Sequence, residues 1–376
     1  MRAPVALTAS RYNRLMRILL LSAYDAASHR QWRQGLANNL PEHEWCVLAL
    51  PPRHFSWRIR GNAFSWAGEQ RQMLNEPYDL ILATSMVDLA TLRGIVPGLS
   101  TTPAIIYFHE NQFAYPESGH AHPSVEAQIT SIYSGLAADR LVFNSAYNRD
   151  SFLAGALALI RKMPDHAPTT LIDSLAAKSL VLPVPLDEAC FARRERNKEG
   201  PTTLLWNHRW EYDKGPERLL LLMQKLETAG LDYRIHIIGQ QFRAMPESFD
   251  AMRMQFSHRI GKWGYIEDRA AYLHILRSSD IAISTALHDF QGIAILEAVA
   301  CGCTPVAPRR LAYPEFIHAG YLAESCADDA DREAAAMADR IIALSKHTEP
   351  AAIDISKLAW RHMKQRYRAL LASAST

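Results

Sequence analysis

The chain has 376 residues, of which 48% are hydrophobic and 21% charged, with 17 Gly and 20 Pro; this excludes a disordered or low-complexity protein and leaves apolar surface for two cores. At roughly 150 residues per domain, two domains are expected. Lys plus Arg number 41 against 39 Asp plus Glu, a net charge of +2, so only a local basic patch, not the global field, could recruit nucleic acid.

Residues 1–15 form a basic N-terminal tail containing Arg2, Arg11 and Arg14 but no long apolar core. The ILLLSAY run that follows is only a strand's length, so neither a signal peptide nor a membrane span is expected. Short apolar runs then alternate with helix-period segments: MRILLLSAY (16–24), WCVLALP (45–51), YDLILATS (78–85), PAIIYFHE (103–110) and DRLVFNS (139–145). Alternation of this kind predicts βαβ units around a parallel sheet.

After the charged stretch ARRERNKEGP (192–201) the pattern restarts with TLLWNHR (203–209), YRIHIIG (233–239), RIGKWGYI (259–266), DIAISTA (280–286) and CTPVAP (303–308). The predicted organisation is α/β: a 16–190 domain, a 191–201 linker, a 202–350 domain, and a 351–376 C-terminal helix able to pack back on the first domain. Two doubly wound, Rossmann-like domains imply an interdomain cleft, with ligands beyond the carboxyl ends of the strands.

Five scattered cysteines, odd in number and without metal-ligand spacing, fit a reducing cytoplasm. Cys301-Gly-Cys303 falls in a helix-to-strand turn and reads as packing.

The residues just past each apolar run are the ones to weigh. In NHRWEYDKGPE (207–217), Arg209 and Lys214 precede a helix beginning near Pro216. A guanidinium fork, a mobile ammonium and a helix N-terminus suit a pyrophosphate; two solvated loop cations are the alternative. In HDFQGIAILEAVACGC (288–303), Asp289 lies before a helix starting near Gln291, with Phe290 and Gly292 at its entry and Glu297 inside it. Two carboxylates beside a diphosphate can accept hydrogen bonds from sugar hydroxyls. Alternatively, Asp289 caps the helix and Glu297 is a surface charge. Glu297 is nonetheless flanked by Ile295, Leu296, Ala298 and Val299, and a carboxylate in such a face needs a specific partner.

At the end of the fourth apolar run, FHENQFAYP (108–116) sets His109, Glu110, Asn111 and Gln112 in a row. Pro116, Ser118 and Gly119 make the continuation a loop. Glu110 can orient His109 or accept an acceptor proton, whereas Asn111 and Gln112 offer both donors and acceptors. His109, Glu110, His120 and His122 match no zinc spacing, so no metal is assigned. Tyr115 is a contact candidate and Phe113 a loop anchor. The segment PPRHFSWRIRGNAFSW (51–66) interleaves Arg53, Arg58 and Arg60 with His54, Phe55 and Trp57, a pattern suited to stacking single-stranded RNA bases or, equally, to a core-anchored surface loop. Arg30 and Arg33 are weaker candidates. Ser145, after DRLVF, reads as a helix N-cap.

Arg209-x4-Lys214 with Asp289-x7-Glu297 resembles the donor site of the family-4 retaining glycosyltransferases of GT-B architecture. The resemblance implies that Arg209 and Lys214 bind the donor diphosphate, Glu297 the ribose and Asp289 the donor sugar. It also implies that His109 lies beside the reacting carbon. Family members usually carry Glu where this chain has Asp289.

SHRQW, FSWRIRG, YFHENQFAYP, VFNSAYN, HRWEYDKGPE, WGYI and HDFQGIAILEAVACGC together resemble the tRNA-queuosine α-mannosyltransferase family, from about residue 17 to about residue 315. The resemblance implies mannose transfer from GDP-mannose to queuosine at the tRNA wobble position. No cofactor, no membrane partner and a cytoplasmic location are expected alongside it. It tips Ser28, His29, Arg53, Trp57, Arg58 and Arg60 toward acceptor contact. Ala26-Ala27 stand where eukaryotic members have a Gly pair. A GT-B transferase acting on a lipid or small glycoside, and a non-catalytic RNA-binding GT-B protein, are the alternatives. No feature sets an oligomeric state.

Overall fold

The computed structural model describes residues 15–114, 125–192, 200–242, 245–346 and 353–374. Tyr115, His120, His122, residues 1–14 of the basic tail and residues 193–199 of the expected linker lie outside them. The chain divides into two compact units, Met1–Pro185 with Trp360–Thr376, and Leu186–Ala359.

In the first unit β1 (Arg17–Ser22), β2 (Glu44–Ala49), β3 (Leu80–Thr84), β4 (Ala104–Phe108), β5 (Arg140–Phe143) and β6 (Ser179–Val181) form a sheet in the order β2-β1-β3-β4-β5-β6. Every ladder is parallel, with Leu20 opposite Leu82 and Leu82 opposite Ile105. Parallel strands covered on both faces need apolar residues at every position, which is why β3 and β4 are buried throughout. Strand order reverses direction at β1, so the carboxyl ends of β1 and its neighbours border the site such a sheet creates. Helix Ala27–Asn39 follows β1 and buries His29, Trp32 and Leu36, one face at helical spacing. Helix Trp360–Ala374 packs in this unit through Met363, Tyr367, Leu370 and Leu371.

The 51–66 segment is not a loop: Phe55–Glu69 is a helix burying Ile59, Ala63, Trp66 and Ala67. Its entry residue His54 has φ 56°, a left-handed conformation uncommon outside Gly, Asn, Asp and His.

In the second unit β7 (Thr202–Asn207), β8 (Tyr233–Ile238), β9 (Ile260–Gly264), β10 (Ile281–Ile283), β11 (Thr304–Pro308) and β12 (Leu322–Ala323) pair in the order β12-β11-β10-β7-β8-β9, again all parallel. Central β7 delivers residues 207–215 to the carboxyl edge. Gly215, at φ 64°, enters helix Pro216–Thr228, and a Cβ there would lie 2.3 Å from the Thr285 carbonyl oxygen. Only glycine permits both that conformation and that approach.

Buried Glu333 accepts from Arg218 at 3.1 Å and from Arg310 at 2.9 Å; Arg310 also donates to the Ala286 carbonyl. This charge cluster ties helix Ala330–Ser345 to the loop carrying Asp289. Removing one partner of such a buried pair typically costs about 3–5 kcal/mol, because the other charge is stranded.

Candidate active site

In the first unit His109 directly follows β4 and is 7% exposed. Its ring lies 4.2 Å from His29, 4.7 Å from Trp32 edge-on and 4.7 Å from Tyr107. Burial first, and the neighbouring His29 second, hold the His109 imidazole well below its ordinary pKa, so it is neutral at pH 7. Its Nε2 is buried with no hydrogen-bond partner among the described residues.

The shelf beneath His109 is fixed by a polar chain. Trp32 Nε1 donates to the Tyr367 hydroxyl at 3.1 Å, which lies 3.1 Å from the Pro183 carbonyl and 3.2 Å from the Tyr107 hydroxyl. Tyr107 in turn donates to the Leu182 carbonyl at 2.7 Å. A helix whose Tyr367 lies 260 residues beyond Tyr107 thus braces the strand end.

The backbone on either side of His109 is held by asparagines. Asn144 Nδ2 donates to the His109 carbonyl at 2.9 Å, and Asn148 Nδ2 to the Phe108 carbonyl at 2.9 Å and to Asn144 Oδ1 at 2.8 Å. Ser145 caps helix Ala146–Arg161 by accepting from Asn148 N–H. Asn111, read from sequence as an acceptor contact, is buried with its amide nitrogen on Asn148 and Ser151 and its oxygen on the Phe113 N–H. In this conformation its role is to hold the loop. Glu110 and Gln112 are half-buried, and the Gln112 carbonyl accepts from Gln128. Phe113 packs on Gly155 and Phe152, the anchor its sequence position suggested.

Ser28 is exposed at the start of helix Ala27–Asn39, while His29 is turned into the core. Arg30 and Arg33 are drawn onto buried Asp25, Arg33 through two contacts of 2.9 Å. Arg60 is likewise engaged, by Asp88 at 2.5 Å and Glu126 at 3.2 Å. Arg53 is exposed and Arg58 half-buried. Trp57 is 53% and Phe64 72% exposed, and Phe55 emerges beside them on the same helix. A Cβ at Gly61 would meet the Trp57 ring at 2.3 Å; the missing side chain lets the indole lie against the helix backbone.

In the second unit, the residues after β7 and β10 interlock. Lys214 is buried, donating from Nζ to the His288 carbonyl at 2.6 Å and lying 3.1 Å from Asp213. Burial opposes the charge on Asp213, yet the hydrogen bond from His288 and the charges of Lys214 and Arg209 hold its carboxyl well below the usual range. Leu287 and His288 N–H both donate to the Asp213 carbonyl, and Thr285 Oγ1 to the Lys214 carbonyl. Arg209 reaches Glu211 at 3.0 Å, and its side chain is about half exposed, at 48%.

Asp289 is half-buried and caps the turn: Oδ1 accepts from the Gly292 N–H at 3.1 Å and Oδ2 from the Tyr313 hydroxyl at 3.2 Å. The helix begins at Ile293 rather than near Gln291, because Gly292 at φ 76° turns the chain into it. Phe290 and Gln291 are buried, Phe290 with its ring 4.5 Å from His288.

Glu297 is buried, not a surface charge. Arg269 Nη2 meets Oε1 at 2.7 Å and the Tyr272 hydroxyl donates to Oε2 at 2.9 Å. The isolated sequence showed that Glu297 needed partners, but gave no local signal for Arg269 and Tyr272 on a separate helix, Arg269–Ser278. Also missed was His208, buried between strand and cation loop, whose imidazole is held at about 4 by burial against the pull of Asp289. Its position directly before Arg209 was the available clue.

Among the described residues no group of three or more His, Cys, Asp or Glu could hold a metal ion, and no helix is long and apolar enough to cross a membrane.

The same architecture occurs in a Rickettsia africae glycosyltransferase (TM-score 0.66, 15% identity, covering 96% of this chain and 99% of that one). It recurs in an Anabaena protein crystallised with UDP and glucose (TM-score 0.61, 14% identity, 96% and 95% covered). With its two parallel sheets, the chain is a glycosyltransferase of the GT-B fold. Residues 17–186 match the tRNA-queuosine alpha-mannosyltransferase N-terminal model and residues 190–355 the glycosyl transferases group 1 model. A Drosophila melanogaster tRNA-queuosine alpha-mannosyltransferase is 33% identical over 308 residues, 80% of this chain and 81% of that protein. The chain belongs to the tRNA-queuosine α-mannosyltransferase family. A Mycobacterium tuberculosis GDP-mannose-dependent alpha-(1-6)-phosphatidylinositol dimannoside mannosyltransferase is 32% identical over 163 residues, 41% of each chain.

Proposed function

We propose that this enzyme transfers mannose from GDP-mannose to the queuosine base of tRNA, with retention at the anomeric carbon, in the cytoplasm and without a metal cofactor. The observation that carries the reading is family membership extending over four-fifths of the chain. GDP-mannose dependence in the mycobacterial relative's name supports the donor, and the free cysteines among the described residues accord with a reducing compartment.

On this reading Lys214 and Arg209 neutralise the leaving diphosphate, a task that dispenses with a divalent cation when donors are fixed beforehand. Glu297, oriented by Arg269 and Tyr272, accepts from the ribose. Asp289, tied into its turn through both oxygens, contacts the donor sugar. His109 lies beside the reacting carbon; being neutral, it does not repel the oxocarbenium-like charge that develops there. The leaving diphosphate takes the acceptor proton. Arg53, Arg58 and Trp57 contact the tRNA, with Ser28 at the acceptor base.

A panel of nucleotide sugars tests the donor. Release of nucleoside diphosphate stimulated by queuosine-bearing tRNA is expected for GDP-mannose; stimulation confined to a different nucleotide sugar contradicts the donor assignment.

A further inference from the structure

Central strand β7 ends at Asn207, and Asn207 and the following His208 each bury a polar atom that no described residue satisfies. Asn207 is 5% and His208 4% exposed. Asn207 Oδ1 and His208 Nε2 have no hydrogen-bond partner among the described residues. An unsatisfied buried polar group costs about 1–3 kcal/mol, so two in succession at a sheet's carboxyl edge call for an external partner.

The amide of Asn207 has only one consistent orientation. One end lies 2.9 Å from the Ala294 carbonyl, which can only accept, and 3.2 Å from the Tyr272 hydroxyl, whose proton goes to Glu297. That end is therefore the nitrogen, and the unpartnered end is an oxygen that accepts only. Its complement must be a donor, such as a hydroxyl, on the side of the site where Tyr272 and Glu297 lie.

His208 sits on the other side, in the field of Asp289, Lys214, Asp213 and Arg209. Its backbone has no room to shift toward Gly239: a Cβ on Gly239 would lie 1.7 Å from the His208 carbonyl oxygen, so the two segments are already in contact. A neutral imidazole there supplies a hydrogen bond without a third cation beside Lys214 and Arg209.

We infer that Asn207 and His208 form a hydrogen-bonding ledge for the nucleoside diphosphate of the donor. Asn207 Oδ1 accepts from a nucleoside hydroxyl, and His208 Nε2 donates to a diphosphate oxygen. The inference rests on the sugar-nucleotide reading above and adds two binding residues to it.

Calorimetric titration of the full-length protein with GDP, guanosine and 2′,3′-dideoxy-GDP tests both halves. His208→Leu is expected to weaken GDP roughly tenfold or more while leaving guanosine unchanged, as loss of one hydrogen bond to a charged group would. His208→Gln, which keeps an N–H, recovers most of that loss. Asn207→Leu is expected to weaken GDP but not 2′,3′-dideoxy-GDP. Wild-type GDP affinity in folded Leu variants overturns the inference, and so does an equal loss for GDP and guanosine in His208→Leu. Failure of the wild-type protein to bind any nucleoside diphosphate removes the sugar-nucleotide reading itself, which distinguishes the two failures.

Discussion

Tyr272 donates its hydroxyl to Oε2 of Glu297 at 2.9 Å, leaving the opposite oxygen to Arg269. The carboxylate is thus fixed before any ligand arrives. Tyr272→Phe removes one of the groups that clamp this buried carboxylate. Affinity for GDP should fall about fivefold to tenfold, near the 1–1.5 kcal/mol of a single hydrogen bond. Wild-type affinity in that variant would show that Tyr272 does not position Glu297.

His109→Ala separates chemistry from binding. The ring touches His29, Trp32 and Tyr107 in the first unit, whereas the donor-binding candidates Lys214 and Glu297 belong to the second. Transfer should drop by on the order of a hundredfold or more, as when a group poised at the reacting centre is lost. Affinity for GDP should stay nearly intact. Loss of GDP binding would place His109 in the donor-binding or structural class instead.

Gly61→Ala tests the Trp57 surface without deleting it. Alanine is favoured over glycine in a helix interior by about 1 kcal/mol, but its Cβ would strike the half-exposed indole, which must swing away. Thermal stability should hold while tRNA affinity falls about tenfold, the value of one base–aromatic stack. Unchanged tRNA binding would remove Trp57 from the acceptor surface.

Stability should decline on mild acidification. The His208 imidazole titrates at about 4 in the fold against about 6.5 in an unfolded chain. The unfolded state therefore binds more protons between those values, so stability is complete above pH 6.5 and is lost as pH falls toward 4. His208 alone accounts for about 3 kcal/mol across that window, and buried His109, shifted the same way, adds to it. Urea melts at pH 7, 6 and 5 should show falling midpoints; a flat profile would contradict the burial of neutral imidazoles.

Much of the fold could be read from sequence because parallel strands covered on both faces appear as bare apolar runs, as in LILAT of β3 and AIIYF of β4. β6 and β12 were missed: at three and two residues they carry no pattern of their own. Phe55–Glu69 was misread because Pro51, Pro52 and Gly61 suggest a loop, while its helical signal lies in Ile59, Ala63 and Trp66.

Site residues divided along similar lines. Glu297 was conspicuous because its immediate neighbours are apolar, a local property. Asn111 looked like a contact residue because its partner Asn148 is 37 positions away. Arg60, one of three arginines in an aromatic segment, was indistinguishable from Arg53 until Asp88 and Glu126 were placed beside it. Burial and long-range pairing decide which polar residues remain available, and neither is encoded over a short window.

One pair of reactions tests queuosine in tRNA as the acceptor together with GDP-mannose as the donor. Purified protein should be incubated with GDP-mannose and either queuosine-bearing tRNA or the same tRNA with unmodified guanosine, followed by mass spectrometry of the nucleosides. A hexose is expected on queuosine in the first reaction and no adduct in the second. A hexose on the unmodified tRNA, or none on queuosine with any common nucleotide sugar, would contradict it.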